Sequence, residues 1–290
     1  MILIKQAKKL SEYIADFRRS GGKIGLVPTM GALHAGHISL IDEAVKENEL
    51  SVCSIFVNPA QFNDAGDFEK YPVTLEKDIL ALEEAGCGIL LLPSVKEIYP
   101  DGYENLPQFD LGYLETTLEG EFRPGHFQGV CNVVSRLLEI VQPDVLYLGQ
   151  KDFQQCMVIA RMLEIKGLTD KIKLSISPTL REDDGLAMSS RNMRLSSEAR
   201  KKAPLIHSAL QRVKAEISLV DVKKSLQQAK NRLELEGFKV DYLELRRAND
   251  LHVLNKFPLD EQAVLLVAAY IDGIRLIDNI IINPDLISNQ

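Results

Sequence analysis

Apolar positions along the first 176 residues alternate between two periods. Residues 8–19 place Leu10, Tyr13, Ile14 and Phe17 at helical spacing and stop at Gly21-Gly22, which predicts an amphipathic helix. Residues 24–27 form a short apolar run, and a strand is expected over 23–27. Ile38, Leu40, Ile41, Ala44 and Val45 then return to helical spacing as far as about Asn48. The apolar run at 51–57 contains β-branched residues and suits a strand covered on both faces of a parallel sheet. The alternation continues with a helix over 75–85, a strand over 88–92 ending at Pro93, a helix over 130–141, a strand over 144–148, a helix over 153–165 and a strand over 171–176. Strands joined through helices by short connections imply right-handed crossovers. The expected fold is α/β, a Rossmann-like open parallel sheet with helices on both faces.

Two stretches break this pattern. Between Pro93 and Phe127 the periodicity fades into Gly, Pro, Tyr and charged residues, a loop-rich insertion of the kind that often serves as a lid. Beyond Pro178 the chain is polar over 180–192, then helical over 197–217 and 222–235. It closes with strand-like runs at 241–246, 263–271 and 274–282. Asp272-Gly273 between the last two runs is a hairpin signal. The expectation is a first domain over 1–179 and a smaller α+β domain with an antiparallel sheet over 180–290.

Composition narrows the function classes. With 290 residues, 46% of them apolar, the chain can bury a substantial core. The net charge of −7 argues against a general nucleic-acid binder. Residues 180–290 hold 17 basic and 16 acidic side chains, so the second domain is no basic arm. No apolar run reaches the ~20 residues that span a bilayer, and residues 1–10 lack a signal-peptide block. The expected location is the cytoplasm, with no membrane partner. Cys53, Cys87, Cys131 and Cys156 are widely spaced in apolar segments and are expected to be reduced core residues.

Candidate chemistry gathers after the predicted strands. The stretch Pro28-Thr29-Met30-Gly31-Ala32-Leu33-His34-Ala35-Gly36-His37 lies between a strand and a helix. A helix N-terminus offers unpaired N–H groups and partial positive charge to an anion. His34 and His37, three apart, can face one point, although the same spacing also fits half of a metal site or two solvated side chains. Asn58 and Gln61 follow the second strand, and Lys151, Asp152 and Gln155 follow the fourth. In open parallel sheets ligands bind outside the carboxyl ends of the strands, so this shared address favours a phosphate site. Past the boundary, Met188-Ser189-Ser190-Arg191 adds two hydroxyls and a planar guanidinium.

The strings "HAGH" and "MSSR" resemble the HIGH and KMSKS pair of the nucleotidylyltransferase superfamily. "PTMGALHAGH", "FVNPAQF", "FRPGHFQGV", "GQKDFQQ" and "LAMSSRN", in this order, resemble the pantoate–β-alanine ligase (pantothenate synthetase) family along essentially the whole chain. The resemblance implies ATP-dependent condensation of (R)-pantoate with β-alanine through a pantoyl adenylate, with Mg²⁺ accompanying ATP and a homodimeric assembly. It also implies residue roles. Met30, Gly31, Ala32, Leu33, His34, Ala35, Gly36 and His37 would contact ATP, with His34 and His37 at the phosphates and His37 as proton donor. Gly149, Gln150, Lys151 and Asp152 would line the nucleotide site, Lys151 at phosphate and Asp152 at ribose. Leu180 would meet adenine through its backbone, and Met188, Ser189, Ser190 and Arg191 would close over the triphosphate by a hinge movement near 180–182. Gln61 and Gln155 would hold pantoate beside Met30 and Asn58. Arg123 and His126 in the long insertion either reach the site or form a surface turn. No protein metal ligands are expected.

Overall fold

Side chains from alternate positions of one parallel sheet feed two separate apolar layers, and this double burial explains the unbroken apolar strands. The computed structural model describes residues 1–63, 65–216, 221–258 and 260–284. Its larger sheet contains β1 (Ile2–Ile4), β2 (Ile24–Thr29), β3 (Leu50–Ile55), β4 (Ile89–Leu91), β5 (Val145–Gly149) and β6 (Lys173–Ser177). All pair in parallel, in the order β1-β4-β3-β2-β5-β6. The helices around it are α1 (Ala7–Arg18), α2 (Ala35–Glu47), α3 (Ala65–Glu69), α4 (Leu75–Glu84), α5 (Val95–Ile98), α6 (Glu119–Phe122), α7 (His126–Val141) and α8 (Phe153–Ile165). Leu26, Val52, Leu91 and Leu146 point into a core with α1, α7 and α8. Their neighbours Val27, Cys53, Leu90 and Tyr147 point the other way, onto α2 and α4. The period of two along each strand produces both layers.

The second group of elements is α9 (Ser197–Lys202), α10 (Leu205–Glu216), α11 (Val222–Leu235), β7 (Lys239–Arg247), β8 (Ala263–Ile271) and β9 (Ile274–Ile282), the strands pairing antiparallel in the order β7-β8-β9. Leu245, Leu265, Leu276 and Ile280 pack with Ile206 and Leu210 of α10 and Ala229 and Leu233 of α11. The β8–β9 hairpin turns at Asp272 and Gly273, both at positive φ, as the sequence requires. Two compact units result. One is Met1–Gly149 with Gln155–Pro178, and the other is Gln150–Gln154 with the chain from Thr179 onward.

Three departures from the sequence reading have local causes. β1 is absent from it because three residues, with Ile2 and Leu3 exposed, carry no period. α7 begins at His126 rather than 130, since Gly125 in the left-handed region starts the helix and Gly129 is tolerated inside it. The single helix expected over 197–217 is two helices: Pro204, with no N–H to donate, stands between α9 and α10. Ile217 lies outside the described residues. All four cysteines are free and buried, and burial pushes the Cys131 thiol up to about 12, so they serve as small apolar core residues.

Leu10 on α1 is fully buried, whereas Leu235 at the end of α11 is 86% exposed. Leu10→Ala is expected to destabilise by about 2–5 kcal/mol, and Leu235→Ala to stay within about 0.5 kcal/mol of wild type, as read by urea unfolding.

Candidate active site

The sheet order places a topological switch between β2 and β5. The chain runs from β2 outward through β3 and β4, then returns to β2's other side with β5. These two strands are paired only at Gly25–Val145 and Leu26–Leu146, while β2 stays in register with β3 as far as Thr29–Ile55. Beyond Leu26 the β5 side of β2 has no strand partner, and Pro28 brings no N–H to that stretch. A crevice outside the carboxyl ends of such strands is where open α/β sheets bind ligands.

The turn leaving β2 is tightly built. Gly31 has φ +84° and Ala32 φ +50°, consecutive left-handed residues, and a Cβ on Gly31 would lie 3.0 Å from Ile55 and 3.2 Å from Asp78. An alanine in that region is strained, so something must hold it there. The Asp78 carboxylate of α4, 2% exposed, does so. It accepts the Ala32 and Leu33 N–H groups, each at 2.9 Å, and the Thr74 hydroxyl at 2.9 Å. The Thr29 hydroxyl accepts the Gly31 N–H at 3.2 Å and donates to the Ser54 carbonyl at 2.8 Å. A cleft lined by Met30, Gly31, Phe56, Thr74, Leu92 and Ser94 lies against this turn.

His34 is the N-cap of α2, with Ala35, Gly36 and His37 forming its first turn. The His34 and His37 rings lie 4.0 Å apart between centroids. His37 Nδ1 accepts the His34 N–H at 3.3 Å. A ring nitrogen that accepts carries no proton, so the neutral imidazole holds its hydrogen on Nε2 and offers it as a donor. The Ala35 and Gly36 N–H groups of this turn lack intrahelical acceptors by geometry, whereas the His37 N–H donates to the His34 carbonyl at 2.8 Å. A donor histidine and a helix N-terminus therefore occur together at the end of β2.

Asn58 and Gln61 flank the 3-10 turn Pro59–Gln61 after β3. Asn58, 1% exposed, has its amide filled: Nδ2 donates to Gln61 Oε1 and to the Gly129 carbonyl, both at 3.1 Å, while Oδ1 accepts the Ala60 N–H at 3.3 Å and the Tyr99 hydroxyl at 2.9 Å. Burial holds the Tyr99 hydroxyl well above its ordinary pKa, so it remains a donor. With Gln61 Oε1 occupied, Nε2 is the end turned toward Met30, 3.4 Å from its sulfur. The Gln61 carbonyl accepts from His126 Nδ1 at 2.8 Å, and Arg123 reaches His126 Nε2 at 3.2 Å. Arg123 and His126 thus support the Gln61 turn through its backbone. A Cβ on Gly129 would sit 2.3 Å from the Ala60 carbonyl oxygen, which is why α7 carries glycine there. Gln155 lies half-buried in the first turn of α8, and Gly149 ends β5.

The remaining expected residues belong to the second unit. Gln150, Lys151 and Asp152 form a 3-10 turn, with the Lys151 ammonium 3.1 Å from the Asp152 carboxylate. Asn279 of β9, 1% exposed, donates to the Gln150 and Lys151 carbonyls, both at 2.9 Å, and accepts from Gln150 Nε2 at 3.0 Å. Leu180 opens a loop in which its carbonyl accepts the Met188 N–H at 3.0 Å and Arg181 bridges to Ala187. Arg181 binds Asp278 with two hydrogen bonds, 2.7 and 2.9 Å. Ser189 caps the following 3-10 helix by accepting the Arg191 N–H at 3.3 Å, and Ser190 is buried. Sequence reasoning missed Asp78, Tyr99, Asp278 and Asn279. The polar pair inside the apolar run of β9 is the one signal it could have used.

A family model described as pantoate-beta-alanine ligase matches residues 2–281. The chain is 44% identical to a pantothenate synthetase of Cytophaga hutchinsonii over 97% of its length and 99% of the relative's, and 42% identical to that of Pseudomonas paraeruginosa over 98% and 100%. The solved pantothenate synthetase of Thermus thermophilus superposes with a TM-score of 0.88 at 39% identity, covering 97% of this chain and 99% of that one. A pantoate-beta-alanine ligase of Francisella tularensis, complexed with β,γ ATP and β-alanine, gives 0.78 at 37% identity over 98% and 99%.

Asp78→Asn would turn an amide NH₂ toward backbone N–H groups. One of the two buried donors then lacks an acceptor, at a cost of about 1–3 kcal/mol, read as a lower urea midpoint with faster amide exchange at Ala32 or Leu33. An unchanged midpoint would remove Asp78 as the support of this turn.

Proposed function

The chain belongs to the pantoate–β-alanine ligase family, and we propose that the β2 turn and the α2 N-terminus bind the ATP phosphates in its reaction. The protein joins pantoate to β-alanine at the expense of ATP. A pantoate carboxylate oxygen attacks the α-phosphorus and pyrophosphate leaves, giving a pantoyl adenylate. The β-alanine amine then attacks the acyl carbon and AMP departs. Pantothenate is the product.

The observation that carries the residue assignment is the His34–His37 pair on α2, with His37 Nδ1 occupied and Nε2 therefore a donor. Both reactants of the first step are anions, so donors and cations must face the α-phosphate as charge builds on it. His34 and His37 provide them with the N–H groups of Ala35 and Gly36, and Lys151 and Arg191 provide them from the second unit. Met30, Gly31, Ala32 and Leu33 line the nucleotide with Gly149, Gln150, Asp152, Leu180, Met188, Ser189 and Ser190. Gln61 and Gln155 take pantoate, whose hydroxyls and carboxylate suit amides that both donate and accept. Asn58, with its amide filled, acts on pantoate by orienting Gln61.

Among the described residues no group of three or more His, Cys, Asp or Glu side chains is arranged to hold a metal ion. Mg²⁺ would enter with ATP as part of the co-substrate, held by its phosphate oxygens, and would offset triphosphate charge. The homodimer and cytoplasmic location carried by the family resemblance complete the proposal. No described helix is long and apolar enough to cross a membrane.

The test is exchange of labelled pyrophosphate into ATP. Exchange is expected only when (R)-pantoate is present and without β-alanine; exchange indifferent to pantoate would overturn the reading.

A further inference from the structure

Two polar residues interrupt the apolar sequence of β9, Ile277-Asp278-Asn279-Ile280, and both are almost wholly buried, at 4% and 1% exposure. Buried polar groups are unfavourable unless hydrogen-bonded, and here the side-chain hydrogen bonds to Arg181, Gln150 and Lys151 go to segments assigned to ATP or to the residue that braces one. Asp278 shares the face of Leu276 and Ile280, which pack on α10 and α11. It receives two hydrogen bonds from Arg181, its carboxylate lies 3.4 Å from His207 Nδ1, and it accepts the Asn279 N–H at 2.7 Å. Arg181 in turn donates to the Gly185 carbonyl at 3.1 Å, so the charge pair pins both ends of the loop that leads into Met188.

Asn279 is the next residue along the strand, so its side chain leaves from the opposite face. There it gives both amide hydrogens to the Gln150 and Lys151 carbonyls and accepts from the Gln150 side chain. Only an amide of this length fits the three contacts. A carboxylate would lose both donors, and an aliphatic isostere would lose all three bonds.

We propose that Asp278 and Asn279 are positioning residues. Through one rung of β9 they fix the Lys151 turn and the loop leading to Met188–Arg191 on opposite faces of the same sheet, setting the spacing between the two sources of phosphate-binding cations. The assignment rests on the functional reading above, since the spacing matters because both segments bind ATP. Burial raises the Asp278 carboxyl, but the hydrogen bonds from His207 and Arg181 and the Arg181 charge outweigh it and hold the group below the usual carboxylate range. The clasp is therefore ionised at neutral pH.

Asn279→Asp and Asp278→Asn, each isosteric, test this in the full chain. KM for ATP is expected to rise on the order of tenfold or more, as for displaced binding groups, with KM for β-alanine unchanged. A purely structural role would instead lower kcat through loss of folded enzyme while leaving KM for ATP as it was, and that result overturns the proposal. Thermal melting monitors folding. If Asn279→Asp does not fold, Asp278→Asn decides through the other loop, and an unchanged KM for ATP there is equally fatal. Direct titration with a non-hydrolysable ATP analogue separates the two levels of inference. Wild type that binds the analogue but shows no pantoate-dependent exchange defeats the functional reading; variants that bind it as tightly as wild type defeat the clasp.

Discussion

Two anions must meet for this reaction to begin. Two unit charges 4 Å apart repel by about 4 kcal/mol at an effective dielectric near 20, and a triphosphate presents several charges to the incoming carboxylate. No single cation offsets that. In the proposed function the answer is backbone N–H groups, a donor imidazole and separate basic side chains, and within each unit buried polar groups hold the segments that carry them. The parting of β2 from β5 beyond Leu26 and Leu146 leaves the strand-end crevice to which the proposal assigns the phosphates. Asp78 fixes the turn that enters it.

Side chains that brace other side chains and turns carry much of this order. Asn58 has no hydrogen-bonding position to spare, yet it decides which end of the Gln61 amide faces outward. His126 and Gly129 let α7 lie against the same turn. Asn279 has the same relation to the Lys151 turn. Catalysis that depends on charge placement needs such supports, because displacement of a contact by about 1 Å can cost on the order of a hundredfold in rate.

The sequence showed the layered α/β fold because its buried strands and amphipathic helices follow fixed periods. It did not show β1, whose three residues are too few to display one. Pro204, which divides α9 from α10, could have been read as a break, but the helical spacing continued across it. The phosphate-facing candidates were legible as motifs because glycine, histidine and serine stand out at strand ends. Asp78 did not, since among Glu76, Lys77 and Asp78 at the start of α4 a buried carboxylate looks like any solvated helix residue. Its role depends on a turn more than forty residues earlier, and no local pattern records that. Asn58 stood out as a polar residue after β3, and the family resemblance placed it beside pantoate; its hydrogen bonds with Tyr99 and Gly129 exist only in three dimensions.

The proposed charge placement around the α-phosphate is tested most directly by His37→Ala in single turnover, with the two half-reactions measured apart. Formation of pantoyl adenylate from ATP and pantoate is expected to slow on the order of 10²- to 10⁴-fold, the usual worth of a positioned proton donor. Aminolysis of supplied pantoyl adenylate by β-alanine is expected to proceed at close to the wild-type rate. Equal slowing of both steps, or adenylate formation at the wild-type rate, would contradict the placement of His37 at the phosphates.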